Sequence, residues 1–502
     1  MVVNRRVRTP LKILWALAAL LLIAGAGHRI LAEPGPSGEV EAGAPSLASP
    51  QAVELGQARI DAVDASSPLQ RVRSAFGVVM LLALAWLMSV DRGRIPWRLV
   101  IWGVALQLVF ALFILKTPMG AQLFGWLNEG VLALLGFTVE GARFIFGDLV
   151  FNNLPIGTGD PGGNAPIVEV PGRTARAGAY FAFNVLPTII FFSSLMTVLY
   201  HLGAMQIVVR GFAWVMQRSM GTSGAETLSA AGNIFVGQTE APLLIKPFVE
   251  GMTRSELMAV MTGGFATVAG GVLAAYVGML VAFFPDIAGH LMAASVMSAP
   301  AALVVAKIMI PETGEPETRG ELNLSVEKPD VNVIDAASRG ASEGLHLALN
   351  VGAMLLAFIA LVAMINALIA WGGTVVGFEG LTLQSILGWL LAPLAWMLGV
   401  PWTDAATVGS LLGIKTVLNE FVAYLGLADI LAGESGISAR SAVIATYALS
   451  GFANFSSIAI QIGGIGGIAP SRRHDLSRLG LRAMIGGSLA AFMTAAIAGM
   501  LL

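Results

Sequence analysis

Two stretches of this chain decide its fold: Gly232–Phe248, which reads GNIFVGQTEAPLLIKPF, and Gly413–Tyr424, which reads GIKTVLNEFVAY. Each places one glutamate, Glu240 or Glu420, after an amide or hydroxyl side chain inside an apolar segment. An ionised side chain at membrane depth costs about 2.5 to 3.5 kcal/mol on insertion scales and persists mainly where it faces a cavity or a partner. Two such clusters in matching settings predict a polar binding site inside a bilayer.

The composition is that of a polytopic membrane protein. Of the 502 residues, 56% are hydrophobic and 12% are charged, and the mean hydropathy is +0.78. Soluble domains carry about twice that charged fraction. The net charge of −2 gives no electrostatic basis for binding nucleic acid. The sequence contains no cysteine, which excludes disulfides and thiolate metal sites.

A helix that crosses the hydrocarbon core needs about 20 apolar residues. The predicted spans are 72–90, 97–116, 178–201, 256–284, 288–310, 343–370, 440–463 and 479–502. The weaker stretches, predicted to be interfacial or short, are 120–148, 204–220 and 382–399. Two more stretches, 227–248 and 404–428, carry the glutamates and are predicted to enter the membrane and turn back. Arginines in the short loops 91–98 and 472–478 predict eight spans with both ends outside.

The predicted order of elements repeats as hairpin, span, span, and the two hairpins would enter from opposite sides. Gly264–Gly270 (GFATVAG) follows the first hairpin, and Gly451–Ser457 (GFANFSS) follows the second. Both place small and polar residues in the middle of a span, as in the interrupted helices of transporters with inverted repeats. The predicted fold class is therefore an all-α polytopic membrane protein with about eight transmembrane helices and two opposed re-entrant hairpins.

The N-terminus has a basic segment followed by an apolar core, as a secretory signal has. Residues 1–32 are predicted to be a signal peptide or an extra N-terminal helix, and residues 33–71 an exported flexible tail. Polar residues dominate 311–330, so 311–342 is predicted to be a cytoplasmic loop followed by an amphipathic helix.

Four ordered blocks carry a resemblance to a known family. Gly413–Tyr424 fits the pattern of a small residue, any residue, Lys, three residues, then Asn-Glu-Phe-Val-Ala and an aromatic residue. Gly237–Leu243, Gly451–Ile458 and Ala469–Leu476 match further blocks. On these blocks the chain resembles, over residues 72–502, the concentrative nucleoside transporter family, whose members take up nucleosides together with a cation. The resemblance implies a homotrimer and an elevator mechanism, and the signal-like start with an exported tail indicates a bacterial inner (plasma) membrane.

The same resemblance implies a division into scaffold and transport domains. The implied parts are scaffold helices 1–3 with an interfacial helix at 72–203, a first transport-domain repeat at 204–310, scaffold helix 6 at 343–371, and a second transport-domain repeat at 382–502.

The substrate site is also implied by the resemblance, residue by residue. Contacts to the base are assigned to Gln238, Thr239 and Glu240, with Val272 packing nearby. Contacts to the ribose are assigned to Glu420, Asn454 and Ser457, with Phe421 close to the substrate. The chemistry agrees, because amide and hydroxyl groups match a base edge and ribose hydroxyls donate charge-assisted hydrogen bonds to a carboxylate.

The coupling ion is predicted to be sodium, with proton coupling as the alternative because a buried glutamate can titrate near neutral pH. Positions that match the sodium site of the family are Asn233, Val236, Thr267 and Val268. Asn233 and Thr267 would offer side-chain oxygens, and the two valines would offer backbone carbonyls. Oxygen ligands of this kind are the ones that hard cations prefer. No other cofactor is predicted.

Other functions stay open at this stage. The glutamates could be structural, with Glu240 paired to Lys246 and Glu420 paired to Lys415. The protein could transport another polar small molecule, such as a nucleobase. A nucleobase, however, has no ribose to engage Glu420. An intramembrane enzyme is disfavoured because the sequence has no Ser–His pair and no paired Asp motif. A channel is disfavoured because broken helices in inverted repeats favour alternating access.

Overall fold

The computed structural model describes residues 67–150, 153–158, 168–176, 181–320, 330–378, 380–433 and 436–502. The predicted signal peptide or extra helix at 1–32 and most of the predicted exported tail lie outside the described residues.

The N-terminal part consists of helices and one antiparallel strand pair. Its elements are α1 Pro68–Leu87, α2 Trp97–Lys116, α3 Pro118–Phe146, β1 Asn153–Thr158, β2 Val168–Arg176, α4 Phe181–Asn184 and α5 Leu186–Leu202, with short 3-10 turns at Arg92–Arg94 and Gly147–Val150. The pairing of β1 with β2 shifts register between Pro155 and Gly157. The sequence analysis predicted no strand in this region.

The next part, residues 204–309, is termed the first repeat. Its elements are α6 Ala204–Met220, α7 Gly224–Gly232, a 3-10 segment Ala241–Phe248, α8 Arg254–Ala266, α9 Gly270–Leu280 and α10 Ile287–Met309. Reciprocal capping boxes start two of these helices, Ser223 with Glu226 at α7 and Thr253 with Glu256 at α8. The helix α7 and the 3-10 segment fold back on each other, and residues 224–248 are termed hairpin 1.

A single helix of 44 residues, α11 (Val333–Val376), connects the two repeats. The predicted amphipathic helix within 311–342 is therefore wrong as a separate element, because its residues form the first turns of α11. Asn332 caps this helix, and Arg339 pairs with Asp330 before it and with Glu343 one turn later. These contacts stabilise the N-terminal turns of α11, which continue without interruption into the predicted scaffold helix at 343–371.

Residues 383–501 are termed the second repeat. Its elements are α12 Leu383–Leu398, α13 Trp402–Val417, α14 Glu420–Ala432, α15 Ala439–Leu449, α16 Phe455–Ile468, a 3-10 turn Pro470–Arg472 and α17 Arg473–Leu501. Residues 402–432 are termed hairpin 2. The order of elements is that of the first repeat: a helix, a hairpin, a pair of short helices and a long helix.

Both predicted spans that follow the hairpins are broken. The first broken span is α8 and α9, separated at 267–269, and the second is α15 and α16, separated at 450–454. The two breaks touch: Gly451 has a φ of +118°, and a Cβ added to it would lie 2.8 Å from the carbonyl oxygen of Phe265. A residue with a side chain would be strained there and would also collide with the other break.

Seven helices among the described residues are long and apolar enough to cross a membrane, or eight if α12 and α13, bent by 114°, count as one span. The predicted span 440–463 is absent from the seven; it consists of the short helices α15 and α16, separated by a longer break than the one in the first broken span. The all-α polytopic fold class is confirmed, and the sidedness stays a prediction. In the most apolar stretch of each span, 94% of the residues are buried in the first broken span and 6% in α11. The first broken span is therefore central and α11 is peripheral.

Candidate functional site

Glu420 lies where hairpin 2 meets the first broken span. Asn419 caps α14 by accepting the Val422 N–H at 2.9 Å, which makes Glu420 the first residue of that helix. Its carboxylate is buried and engaged at both oxygens. Tyr276 donates to Oε1 at 2.9 Å, and Asn454 Nδ2 donates to Oε2 at 2.9 Å. The positive end of the α14 dipole further favours the ionised carboxylate.

Asn454 is aimed at Glu420 by the helix that it caps. Its Oδ1 accepts the Ser457 backbone N–H at 2.9 Å and the Ser456 hydroxyl at 2.7 Å, which starts α16. With the amide oxygen held in this way, the amide nitrogen faces the carboxylate. The break of the second broken span therefore orients a donor toward hairpin 2.

Gln238, at the tip of hairpin 1, reaches the same helix from the other side. Its Nε2 donates to the Ser457 hydroxyl at 3.2 Å, and its Oε1 accepts from Gln461 Nε2 at 3.0 Å. Gln461 also donates to the carbonyl of Met261 on α8 at 3.0 Å. Both ends of the Gln238 amide are thus fixed by α16.

These contacts form one polar chain that joins both hairpins and both broken spans. Its members in order are Gln461, Gln238, Ser457, Asn454, Glu420 and Tyr276. Four of them are residues predicted from the sequence to bind substrate. The polar chain is largely buried, which is the setting in which hydrogen bonds to a charged group are strongest.

The other predicted substrate residues surround this chain without joining it. Glu240 is exposed and accepts the Gly237 N–H at 3.1 Å, and Thr239 packs against Gly464 of α16. Val272 is buried one turn before Tyr276 on α9, and Phe421 meets the Tyr276 ring edge-on at 5.2 Å. All eight predicted residues therefore lie on the hairpins, in the break at 450–454, or on the half-helices α9 and α16 that follow the two breaks.

Sequence reasoning missed Tyr276 and Gln461. Both are isolated polar groups within apolar runs, AAYVG and IAIQIGG, and an isolated polar group at membrane depth is itself a signal of a partner. Neither residue lies in the four blocks that carry the family resemblance. The partners of both residues lie more than 100 positions away in the sequence.

The structural alternative of lysine–glutamate pairs is wrong. Ion pairs in the described part of the chain join neither Glu240 nor Glu420 to a lysine. Lys246 is exposed, and Lys415 donates instead to backbone carbonyls of the second broken span.

The four residues predicted to bind a cation meet where the tip of hairpin 1 touches the first break. The Gly270 N–H donates to the Phe235 carbonyl at 3.0 Å, which brings the neighbours Val236 and Val268 to one junction. Asn233 caps the end of α7, and its amide nitrogen lies 3.4 Å from where a Cβ on Gly263 would be. One turn further along α8, the Thr267 hydroxyl donates to the Gly263 carbonyl at 2.9 Å.

This junction fits a small monovalent cation. Asn233 is fully buried, and neither amide atom has a hydrogen-bond partner within the described residues. An unsatisfied buried polar group costs about 1 to 3 kcal/mol, which a bound cation would offset at the amide oxygen. The Thr267 hydroxyl keeps its lone pairs after donating its proton. A set of amide, hydroxyl and carbonyl oxygens suits sodium better than a transition metal.

Paired hairpins and paired broken helices around one polar site define a secondary transporter. Comparisons with known proteins identify its family. Profiles described as the N-terminus and the C-terminus of Na+ dependent nucleoside transporters match residues 76–149 and 290–499. A profile described as nucleoside recognition matches residues 182–283.

Relatives and solved structures agree with these profiles. The uncharacterized transporter YutK of Bacillus subtilis is 45% identical over 84% of this chain and 98% of its own length. Sodium/nucleoside cotransporter 1 of Mus musculus is 41% identical over 88% of this chain and 65% of its own. The inward-facing, substrate-bound structure of CNTnw matches with a TM-score of 0.76 and 42% identity, over 86% of this chain and 97% of that one.

The chain belongs to the family of Na+ dependent, concentrative nucleoside transporters. It is a multi-pass membrane transporter and not an enzyme, which confirms the resemblance stated from the sequence.

Proposed function

We propose that this protein is a symporter that takes up nucleosides together with sodium across a bacterial inner membrane. The observation that carries the proposal is the polar chain from Gln461 to Tyr276, because it presents amide, hydroxyl and carboxylate groups from both repeats at one buried place. A nucleoside offers complementary groups at both ends, a base edge and vicinal hydroxyls.

In this proposal the base lies at the tip of hairpin 1. Gln238, Thr239 and Glu240 would read its edge, and Val272 would pack against its face. The amide of Gln238 is suited to this role because Gln461 and Ser457 hold it in one orientation. A fixed amide discriminates between base edges better than one that can rotate.

The ribose would lie against Glu420, Asn454 and Ser457, with Phe421 close to it. Each carboxylate oxygen of Glu420 already accepts one hydrogen bond. An ionised carboxylate has about four acceptor positions, so two remain for sugar hydroxyls. A free nucleobase would leave these positions unused, which supports the nucleoside over the nucleobase.

Sodium would bind at Asn233, Val236, Thr267 and Val268. Gly237 and Gln238 directly follow one of these positions, so an ion that orders the tip of hairpin 1 also places the base-reading residues. Each ligand is then expected to raise the affinity of the other by the same factor, because such coupling is reciprocal.

Movement of one domain past another would give alternating access. The mobile domain would comprise both hairpins with α8–α10 and α15–α17, within 204–310 and 382–502. The scaffold would comprise α1, α2 and α5, which correspond to the predicted scaffold helices 1–3 of 72–203, and α11, which contains the predicted scaffold helix 343–371. Apolar side chains such as Leu356 and Leu368 are exposed along α11, which suits contact with lipid or with other copies in a homotrimer.

The test is uptake of radiolabelled uridine and adenosine into proteoliposomes. Uptake is measured with a sodium gradient, with choline in place of sodium, and with an imposed proton gradient. Uptake that requires sodium is the expected result. Uptake with protons alone would retain the family and discard the sodium site. No uptake under any gradient would overturn the nucleoside assignment.

Two variants separate the two halves of the proposal. Glu420→Gln is expected to abolish uptake and to lower uridine affinity at saturating sodium, because ribose loses a charged acceptor. Asn233→Ala is expected to remove the sodium dependence of uridine binding. Glu140→Gln on α3 is the matched control, since Glu140 is exposed and distant from both sites in the sequence.

A further inference from the structure

Lys415 is a fully buried lysine in the last turn of the first helix of hairpin 2. A buried ammonium is costly unless hydrogen bonds and nearby negative charge compensate for the lost hydration. No carboxylate forms an ion pair with it in the described part of the chain. Glu420 acts on the ammonium electrostatically without forming an ion pair, so the direct contacts to the ammonium come from other groups.

Those groups are backbone carbonyls at the C-terminal end of α15, where the break of the second broken span begins. The ammonium donates to the carbonyl of Ala448 at 2.8 Å and to that of Ser450 at 3.4 Å. Its nitrogen also lies 5.7 Å from the centroid of the Phe492 ring. The last carbonyls of a helix have no partner within the helix and carry the negative end of its dipole, so a cation is stabilised there.

The first repeat has a matching junction. There the first helix of hairpin 1 ends at Asn233, and the first half of the broken span ends at the cap Thr267. In the second repeat, Lys415 extends from the end of the first helix of hairpin 2 to the cap Ser450. The first junction has an amide with no hydrogen-bond partner in the described residues, whereas the second has an ammonium already bound to carbonyls.

We propose that the Lys415 ammonium is a tethered cation that fills, in the second repeat, the position that the coupling cation takes in the first. This inference rests on the proposed sodium site. Lys415 holds the break at 450–454 in one conformation, and this break carries Asn454, which in turn orients Glu420. Lys415 is thus a positioning residue for the ribose side of the site, and only the first repeat responds to a dissolved cation.

Lys415→Ala leaves room for a small amine, whereas Lys415→Met fills the same volume without charge. Uridine affinity is measured by calorimetry at saturating sodium, with and without methylammonium. Both variants are expected to bind uridine at least about tenfold more weakly than the wild type, as for the loss of a charged hydrogen bond. Methylammonium is expected to restore most of the affinity in Lys415→Ala and none in Lys415→Met, and to leave the wild type unchanged.

Wild-type affinity in Lys415→Met would overturn the proposal, because the charge would then be dispensable. Weak binding in Lys415→Ala without recovery by methylammonium would reduce Lys415 to a packing role and would also overturn it. If Lys415→Ala is not recovered as a monodisperse protein, the comparison of Lys415→Met with Lys415→Arg decides. Loss of uridine affinity in Lys415→Met with retained affinity in Lys415→Arg supports a required charge. An equal loss of affinity in both variants contradicts it.

Thermal unfolding provides a readout that is independent of nucleoside binding. Methylammonium should raise the melting temperature of Lys415→Ala and not that of Lys415→Met or of Asn233→Ala. A wild type that binds no uridine would refute the proposed function, whereas this melting pattern would still report on the tethered cation. Sodium-dependent binding without the melting pattern would retain the function and refute the role of Lys415.

Discussion

The hydroxyl of Tyr276 donates a 2.9 Å hydrogen bond to Oε1 of Glu420, so a residue of the first repeat orients the carboxylate of the second. The Tyr276 ring is itself fixed by packing: its centroid lies 4.3 Å from the centroid of the Tyr424 ring and 5.2 Å from that of the Phe421 ring. The position of the carboxylate therefore depends on how the two repeats pack. A nucleoside at Glu420 would sense both repeats at once.

Tyr276→Phe is expected to weaken uridine binding by about tenfold or more. The substitution removes one hydrogen bond to a charged group, worth about 1.5 to 3 kcal/mol, and leaves the ring packing in place. Calorimetry at saturating sodium measures the change. Tyr424→Phe is the matched control, because its hydroxyl donates to the Thr446 carbonyl and not to Glu420. Equal losses in the two variants would contradict a specific role for Tyr276.

Gln461→Leu is expected to weaken binding of both uridine and adenosine. The Gln238 amide would lose the donor to its oxygen and could rotate about its remaining contact with Ser457. The loss of one neutral hydrogen bond is worth about 1 kcal/mol, or about fivefold in affinity. Gln107→Leu is the control, since Gln107 is also buried but donates within its own helix α2. An unchanged affinity in Gln461→Leu would separate Gln461 from the site.

A local signal in the sequence predicted the two hairpins, whereas the eight site positions were implied by the family resemblance. A glutamate beside an amide in an apolar run is unusual at any single position. The partners Tyr276 and Gln461 have no such signal, since their roles arise only when distant segments meet. The strands β1 and β2 and the continuity of α11 across 333–342 were missed because both depend on contacts that a local pattern does not contain.

The breaks illustrate the same limit. Gly-Phe-Ala occurs at 264–266 and at 451–453, and the sequence predicted an interruption near both. In the first copy the triplet is the end of α8, whereas in the second it lies within the break itself. The difference follows from the contact between the breaks, where Gly451 adopts a positive φ against Phe265 and Ala266. Identical triplets cannot encode such an asymmetric contact.

Gly451→Ala is expected to destabilise the protein by at least about 2 kcal/mol, because a φ of +118° is unfavourable for alanine and its methyl group would meet the carbonyl of Phe265. The measurement is the melting temperature of the purified protein in detergent. Gly463→Ala in α16 is the control: its Cβ would meet nothing within 4 Å, and alanine favours a helix by about 1 kcal/mol. Similar melting temperatures for the two variants would contradict the close crossing of the breaks.

A buried ion cluster at the base of hairpin 1 gives the last prediction. Lys307 of α10 lies 2.7 Å from Glu226 of α7 and 3.2 Å from Glu312, and it donates to Ser255 at 3.0 Å. The side chains of Lys307 and Glu226 are 3% and 2% exposed, so solvent screens this pair little. The cluster therefore attaches hairpin 1 to α8 and α10 through charge that depends on Lys307.

Lys307→Met is expected to destabilise the protein by about 3 to 5 kcal/mol, because it leaves the Glu226 carboxylate buried without a cation. Adding Glu226→Gln to this variant is expected to recover part of the loss, since the uncompensated charge is then removed. Melting temperatures of the single variant, the double variant and Lys116→Met, whose lysine is exposed at the end of α2, measure these effects. A double variant that is no more stable than Lys307→Met would mean that the lysine contributes through packing and not through its charge.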